Sequence, residues 1–472
     1  GEALVALRDD MSVAPMLAES IRVSDDGLTY TFRLRSGARF HNGNAVTADD
    51  VVYAWRNFYL NPDKHWECLP YYDGTGSIKD RTNGAHVIAV DATARDTVTF
   101  RLAAPSALFL ARMADVACPP LIFHRDSLKG DTPWATFIGT GPYELERLDK
   151  GREVVMRRFR DYVPRNEPRD GYAGAKIAYA EEIRLQIMPD REAQLEALKR
   201  GDIDVVLDIQ DAERRRLEGV DGLALHTTST INFWNLLIQT TDPLLSDVRM
   251  RRAIAQAIDI DYIAAVLTDG RQSANPSVIS ANSEFYSDVQ QQRQPFDPSA
   301  ARALLREVGY DGREVEILAN RDEFPEMYRI GVIVRSMLRA VGINAVLTVL
   351  PWEEQLDERY RHGTFQLQSF GQGGRNHPLL VYGKFIGPKA ERARFQWDSD
   401  EAFKALRAAQ TLTDRVALQR VFDDLHQRML EEVPTLALFN FEYHDATRDD
   451  VRGFHTTAFM RTTFWGVWKE QP

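Results

Sequence analysis

The chain has 472 residues, of which 44% are hydrophobic and 27% charged, with a formal net charge of −11. That length suits two or three domains with sizeable cores, and the balance is ordinary for a globular protein. The acidic character argues against nucleic acid as a partner, which needs a basic footprint. No run approaches the ~20 apolar residues of a membrane-spanning helix.

Asp26-Gly27 reads as a turn, and Leu28, Tyr30, Phe32 and Leu34 alternate with polar residues, which predicts a half-buried strand. Phe40-His41-Asn42-Gly43 is a second turn. Thr47-x-x-Asp50 ahead of Val51, Trp55, Phe58 and Tyr59 predicts a capped amphipathic helix with acids in its first turn. Val98, Phe100 and Leu102 predict another alternating strand. Gly139-Thr140-Gly141-Pro142-Tyr143 reverses the chain into a strand over 143–148. Pro142 lacks the N–H that a phosphate cradle uses, so this is not read as a nucleotide loop.

Glu192–Arg200 predicts a helix stopped by Gly201, with a strand from Asp202 to Val206. Residues 246–267 predict one long helix with Val248, Ile254, Ile258 and Ile263 on its apolar face. Asp297-Pro298 caps a further helix that Gly309 ends. Helices over 328–341, from Trp352, around 400–411 and over 415–432, with a strand at 343–349, extend an alternation that implies an α/β fold.

Motifs of catalysis are missing: H-E-x-x-H, G-x-S-x-G and the Walker pattern do not occur. Ten scattered histidines show no metal spacing, so no catalytic residue, metal or cofactor is assigned. Cys68 and Cys118 are too few for a disulfide scaffold. They suit two free thiols or one bond in an oxidising compartment, and both readings stand.

Four segments carry a resemblance. They are 19–59 (ESIRVSDDGLTYTFRLRSGARFHNGNAVTADDVVYAWRNFY), A-P-S-A-L-F-L at 104–110, G-T-G-P-Y at 139–143, and the helix opened by Asp247-Val248-Arg249. They resemble the extracellular solute-binding proteins of family 5, the dipeptide, oligopeptide, nickel and opine binders that feed ABC importers. The likeness runs from about residue 2 to 468.

The resemblance implies a two-lobed periplasmic binding protein type II fold with an extra inserted subdomain in lobe I. The lobe I core would comprise 1–21, 137–238 and 441–472, the inserted subdomain 22–136, and lobe II 239–440. It implies a monomeric binding protein rather than an enzyme, working by hinge closure and handing its solute to the membrane permease subunits. The setting would be the periplasm, or the outer face of a Gram-positive cell through a lipid anchor. It also implies that a signal peptide and a first strand and loop once preceded Gly1. A sensor or chaperone on the same fold, or a cleft hydrolase, are the alternatives, because fold does not fix function.

Three aromatic-rich places are brought to the ligand by this resemblance: Trp66 to Tyr72 (with Tyr71 and Tyr72), Trp352, and the loop Phe370–Pro378. Peptide-binding relatives carry an aspartate in that loop to pair with the peptide ammonium. Here no Asp or Glu lies between Glu358 and Glu391. The loop offers Phe370, Gln372, Arg375, Asn376 and His377 instead. An arginine fork suits a carboxylate, so the expected solute is peptide-like, opine-like or sugar-acid-like. Arg359 aligns with an arginine near the cleft of oligopeptide binders and is included as a candidate.

Overall fold

The computed structural model describes residues 1–74, 85–128 and 137–470. Among them the chain divides into two compact units, one of 1–230 with 442–470 and one of 231–441. The strands Leu223–Ile238 and Thr435–Arg448 carry the chain from one unit to the other.

The first unit is built on a four-stranded antiparallel sheet in the order Ala18–Val23, Thr29–Leu34, Thr97–Leu102, Val87–Ala94. Tyr30, Phe32 and Leu34 point inward, as the alternation predicts, and Phe32 meets Phe100 edge-on at 5.4 Å. The helix Ala48–Ala54 starts on a capping box, with the Thr47 N–H donating to Asp50 Oδ2 at 3.0 Å. Its continuation in wide turns through Tyr59 lays Trp55 against Phe100 and Tyr72, both at 4.9 Å. This core includes Leu4, Val5, Leu7 and Leu17, so the stretch from residue 22 onward is packed as one body with the amino-terminal strands. Residues 75–84 and 129–136 of the expected inserted subdomain lie outside the described residues. Cys68 and Cys118 are joined in a disulfide, with Cα atoms 6.2 Å apart.

Two of the segments that carried the resemblance lie against each other here. The His41 N–H donates to the Gly139 carbonyl at 2.9 Å, and His41 Nε2 lies 3.0 Å from the Gly141 carbonyl. Gly43 closes the same turn at φ +84°, a left-handed value that costs glycine little. A separate three-stranded antiparallel sheet follows, in the order Tyr143–Asp149, Glu153–Arg158, Glu182–Gln186.

In the second unit Val315–Ala319 runs parallel to both Ala345–Val349 and Leu367–Gln372, and Leu367–Gln372 pairs antiparallel with Phe233–Ile238. The helix Pro325–Ala340 packs on these strands. One expectation is corrected. The helix predicted over 246–267 is two helices, Val248–Ala257 and Ile260–Leu267. Ile258 is extended and buried, and the Asp259 carboxylate accepts the Tyr262 N–H at 3.0 Å to cap the second helix. Burying Ile258 and capping anew outweigh one continuous hydrogen-bond ladder.

Candidate ligand-binding site

The second unit presents the carboxyl ends of three parallel strands on one edge of its sheet. In open α/β sheets that edge is where ligands bind, because the loops leaving it are free to vary over a rigid frame. After Ala319 comes Asn320, whose amide donates to the Leu350 carbonyl at 3.0 Å and whose Oδ1 accepts the Glu323 and Phe324 N–H groups, each at 2.9 Å. After Val349 comes Trp352, half-buried, edge-on to Phe324 at 4.7 Å and tilted against Phe370 at 5.7 Å. After Gln372 comes the glycine-rich loop.

Antiparallel pairing brings the start of the 231–238 strand to this same edge. Trp234 faces Gly371 in register and stacks on Phe441 with centroids 4.0 Å apart. A Cβ on Gly371 would lie 2.8 Å from Phe441 and 2.9 Å from Trp234, so the pair rests directly on the loop's backbone. Phe370 faces the opposite side of the strand, between Trp352 and Tyr360, which stacks on it at 4.6 Å. Burial pushes the Tyr360 hydroxyl up, so it stays a neutral group.

The loop is held from beneath by amides. The Gly374 N–H donates to Asn232 Oδ1 at 2.8 Å, Asn440 Nδ2 donates to the Asn232 carbonyl at 3.2 Å, and Asn275 Nδ2 donates to Asn440 Oδ1 at 3.0 Å. A Cβ on Gly374 would sit 2.1 Å from the Ile231 carbonyl oxygen, so only glycine fits. Arg375 Nη1 donates to the Gly374 carbonyl at 2.9 Å, and Lys384 Nζ donates to the Gly373 carbonyl. Two cations therefore stand at a loop with no carboxylate of its own. His377 is drawn off as a cap: Nδ1 accepts the Leu379 N–H at 3.3 Å and the ring packs on Phe285 and Phe422. What remains is equipped for stacking and hydrogen bonding.

The other expected residues fall elsewhere. Asn376 and Gln372 belong to the loop but are buried, and Phe370 is buried behind Trp352. Arg359 is corrected. The helical turns Glu354–Tyr360 carry it back toward the amino ends of the strands, where it donates to the Thr364 carbonyl at 2.6 Å and pairs with Glu316 at 2.5 Å. It clamps the sheet from the far side. Tyr72 is also corrected: it has no exposed surface and stacks on Trp66 inside the core of the first unit. Tyr71, in the same unit, lies under the Arg112 guanidinium at 3.7 Å. Asn232, Trp234, Asn320 and Phe441 were not foreseen. Their role depends on strand register, which pairs residues far apart in the chain and leaves no local signal.

A cavity of about 480 Å³ in the first unit is lined by Arg8, Glu19, Arg165, Glu167, Arg169 and Asp170 among others. Its arginines are committed to carbonyls and to carboxylates, as in Arg165 to Glu167 at 2.9 Å and Arg169 to the Trp465 carbonyl at 3.2 Å. No group of side chains suited to a metal ion, and no helix long and apolar enough to cross a membrane, occurs among the described residues.

A two-unit α/β chain with an aromatic, hydrogen-bonding strand edge has the fold of the two-lobed type II periplasmic binding proteins. The chain belongs to the bacterial extracellular solute-binding proteins, family 5 Middle, whose family profile matches residues 12–383. It is 25% identical over 469 residues to the dipeptide-binding protein of Escherichia coli strain K12, covering 94% of this chain and 83% of that protein. The structure of HbpA2 from Haemophilus parasuis matches with a TM-score of 0.80 at 22% identity, over 99% of this chain and 93% of that one. The complex of AgaA from A. tumefaciens R10 with agropinic acid matches with a TM-score of 0.66 at 22% identity, over 100% and 92%. The family and these relatives are binding proteins rather than enzymes.

Proposed function

We propose that the chain is the periplasmic binding component of an ABC importer for a small solute bearing a carboxylate or hydroxyl groups where a peptide would present its ammonium. Peptide-like, opine-like and sugar-acid-like molecules meet that description. The observation that carries this reading is the make-up of the loop 370–378, which holds Arg375 in a stretch with no Asp or Glu between Glu358 and Glu391. Trp352 supplies an aromatic face at the same edge, and the loop glycines leave backbone amides close by. The relatives bracket the chemistry, from a dipeptide-binding protein to a complex with agropinic acid. Capture draws the two units together, and the solute then passes to the permease.

The test is calorimetric titration of dipeptides, opines and sugar acids into wild type, Arg375→Ala and Trp352→Ala, with mass spectrometry of any solute that co-purifies. Truncating one partner of a buried charge pair costs ~2–5 kcal/mol, so Arg375→Ala should weaken an anionic solute about a hundredfold and a neutral one little. Losing the Trp352 face should cost about tenfold. Tightest binding by dipeptides with free amino termini, untouched by Arg375→Ala, would overturn the reading.

A further inference from the structure

The three-stranded sheet of the first unit has two unlike faces. Register puts Leu145, Met156 and Ile183 side by side, and Leu148, Val154 and Leu185 beside them. An irregularity between Leu145 and Arg147 brings Leu145 and Leu148 onto one face despite their odd spacing. The result is an apolar face two rows deep, with Leu145 37%, Leu148 53% and Leu185 38% exposed, and Ile187 beyond the strand end 58% exposed. The strands find their principal neighbours within the sheet itself. Scattered apolar residues on a surface need no explanation, but a contiguous patch marks an interaction site.

Area and charge choose the occupant. The exposed part amounts to a few hundred Å², well short of the ~800 Å² per partner of a stable dimer. The cations around the sheet are answered by carboxylates: Arg157 to Glu146 at 2.8 Å, Arg184 to Glu182 at 3.0 Å and Arg158 to Glu181 at 3.2 Å. An anionic lipid surface selects a cluster of unanswered Lys and Arg, whereas among the described residues this rim's arginines are paired and Lys150 stands alone. A small, apolar, charge-balanced surface suits a brief encounter with another protein whose affinity is insensitive to salt.

We infer that the apolar face of the sheet formed by Tyr143–Asp149, Glu153–Arg158 and Glu182–Gln186 is the surface by which the first unit docks transiently on the extracytoplasmic side of the importer's permease. The inference rests on the importer reading above. It is tested with the Leu148→Ser/Leu185→Ser double variant and, as an independent variant outside the strands, Ile187→Ser. The cognate permease–ATPase complex is reconstituted in proteoliposomes, Met-Leu and agropinic acid are offered as solutes, and ATP hydrolysis is followed against binding-protein concentration. Calorimetry reports solute affinity separately.

The expected result is a half-maximal concentration raised at least about tenfold in the double variant, with solute affinity unchanged and the wild-type value the same at low and high salt. If the double variant does not fold, the same shift in Ile187→Ser carries the test. Equal stimulation by wild type and the folded variants overturns the docking surface and leaves the importer reading standing. Wild type that binds solute yet leaves hydrolysis at its basal rate overturns both. A wild-type dimer in sedimentation that the variants abolish, or flotation with phosphatidylglycerol vesicles that they abolish, also overturns it, by assigning the face to a second copy or to the membrane.

Discussion

Acid should weaken the first unit through one imidazole. Burial lowers His41 from 6.5 to about 4, and its Nε2 faces the Gly141 carbonyl, so the folded protein holds it neutral with Nε2–H donating. The unfolded chain takes up this proton near 6.5 and the folded chain only near 4. Stability therefore falls as pH drops through that window and levels off below it. Two and a half pH units at about 1.4 kcal/mol each make the loss about 3 kcal/mol. Burial also lowers His226 and His426, which add to the slope in the same direction. The discriminating measurement is thus a comparison with His41→Gln, whose amide can still donate to Gly141. Urea unfolding from about pH 7.5 to about pH 4 should show the wild type losing about 3 kcal/mol more than the variant. Parallel profiles would refute the reasoning.

Gly374→Ala forces a Cβ onto the Ile231 carbonyl oxygen and should cost ~1–3 kcal/mol of stability while weakening solute binding, since the loop must move. Differential scanning calorimetry with titration checks this, and an unchanged midpoint would show that the loop yields freely. Cys68–Cys118 spans 50 residues of sequence, for which a chain-entropy estimate gives about 4 kcal/mol. Reduction should lower the unfolding transition of the first unit and leave that of the second in place. A single transition that ignores dithiothreitol would contradict this.

Much of the fold was legible because local chemistry and tertiary packing agree. Thr47 and Asp50 cap their helix as the pattern says, and Tyr30, Phe32 and Leu34 turn inward as their alternation says. The break at Ile258 was hidden, because Asp259 sits inside a continuous helical periodicity. The strand Leu223–Ile238 went unread because its last six residues are buried on both faces, which erases alternation. At the candidate site, Trp352 and the glycine loop stood out through resemblance and composition. Trp234 and Phe441 did not, since strand pairing between distant segments sets Trp234 against Gly371 and Phe441 joins by stacking on it. Arg359 was misplaced because sequence gives its distance from Trp352 along the chain but not which way the intervening turns run.

The loop's shape is set by Gly374, the Ile231 carbonyl and Asn232, whose Oδ1 is taken up by the Gly374 N–H. On the proposed reading, scaffold and selectivity are thus written in different residues. Position 375 can be rewritten while the frame is kept, whereas Gln372 and Asn376 are buried and belong to the frame. For a maker of biosensors this suggests a division of labour to test: vary position 375, fix Asn232 and Gly374, and ask whether the folded variants differ in what they detect. On the same reading, a change of solute would need few substitutions.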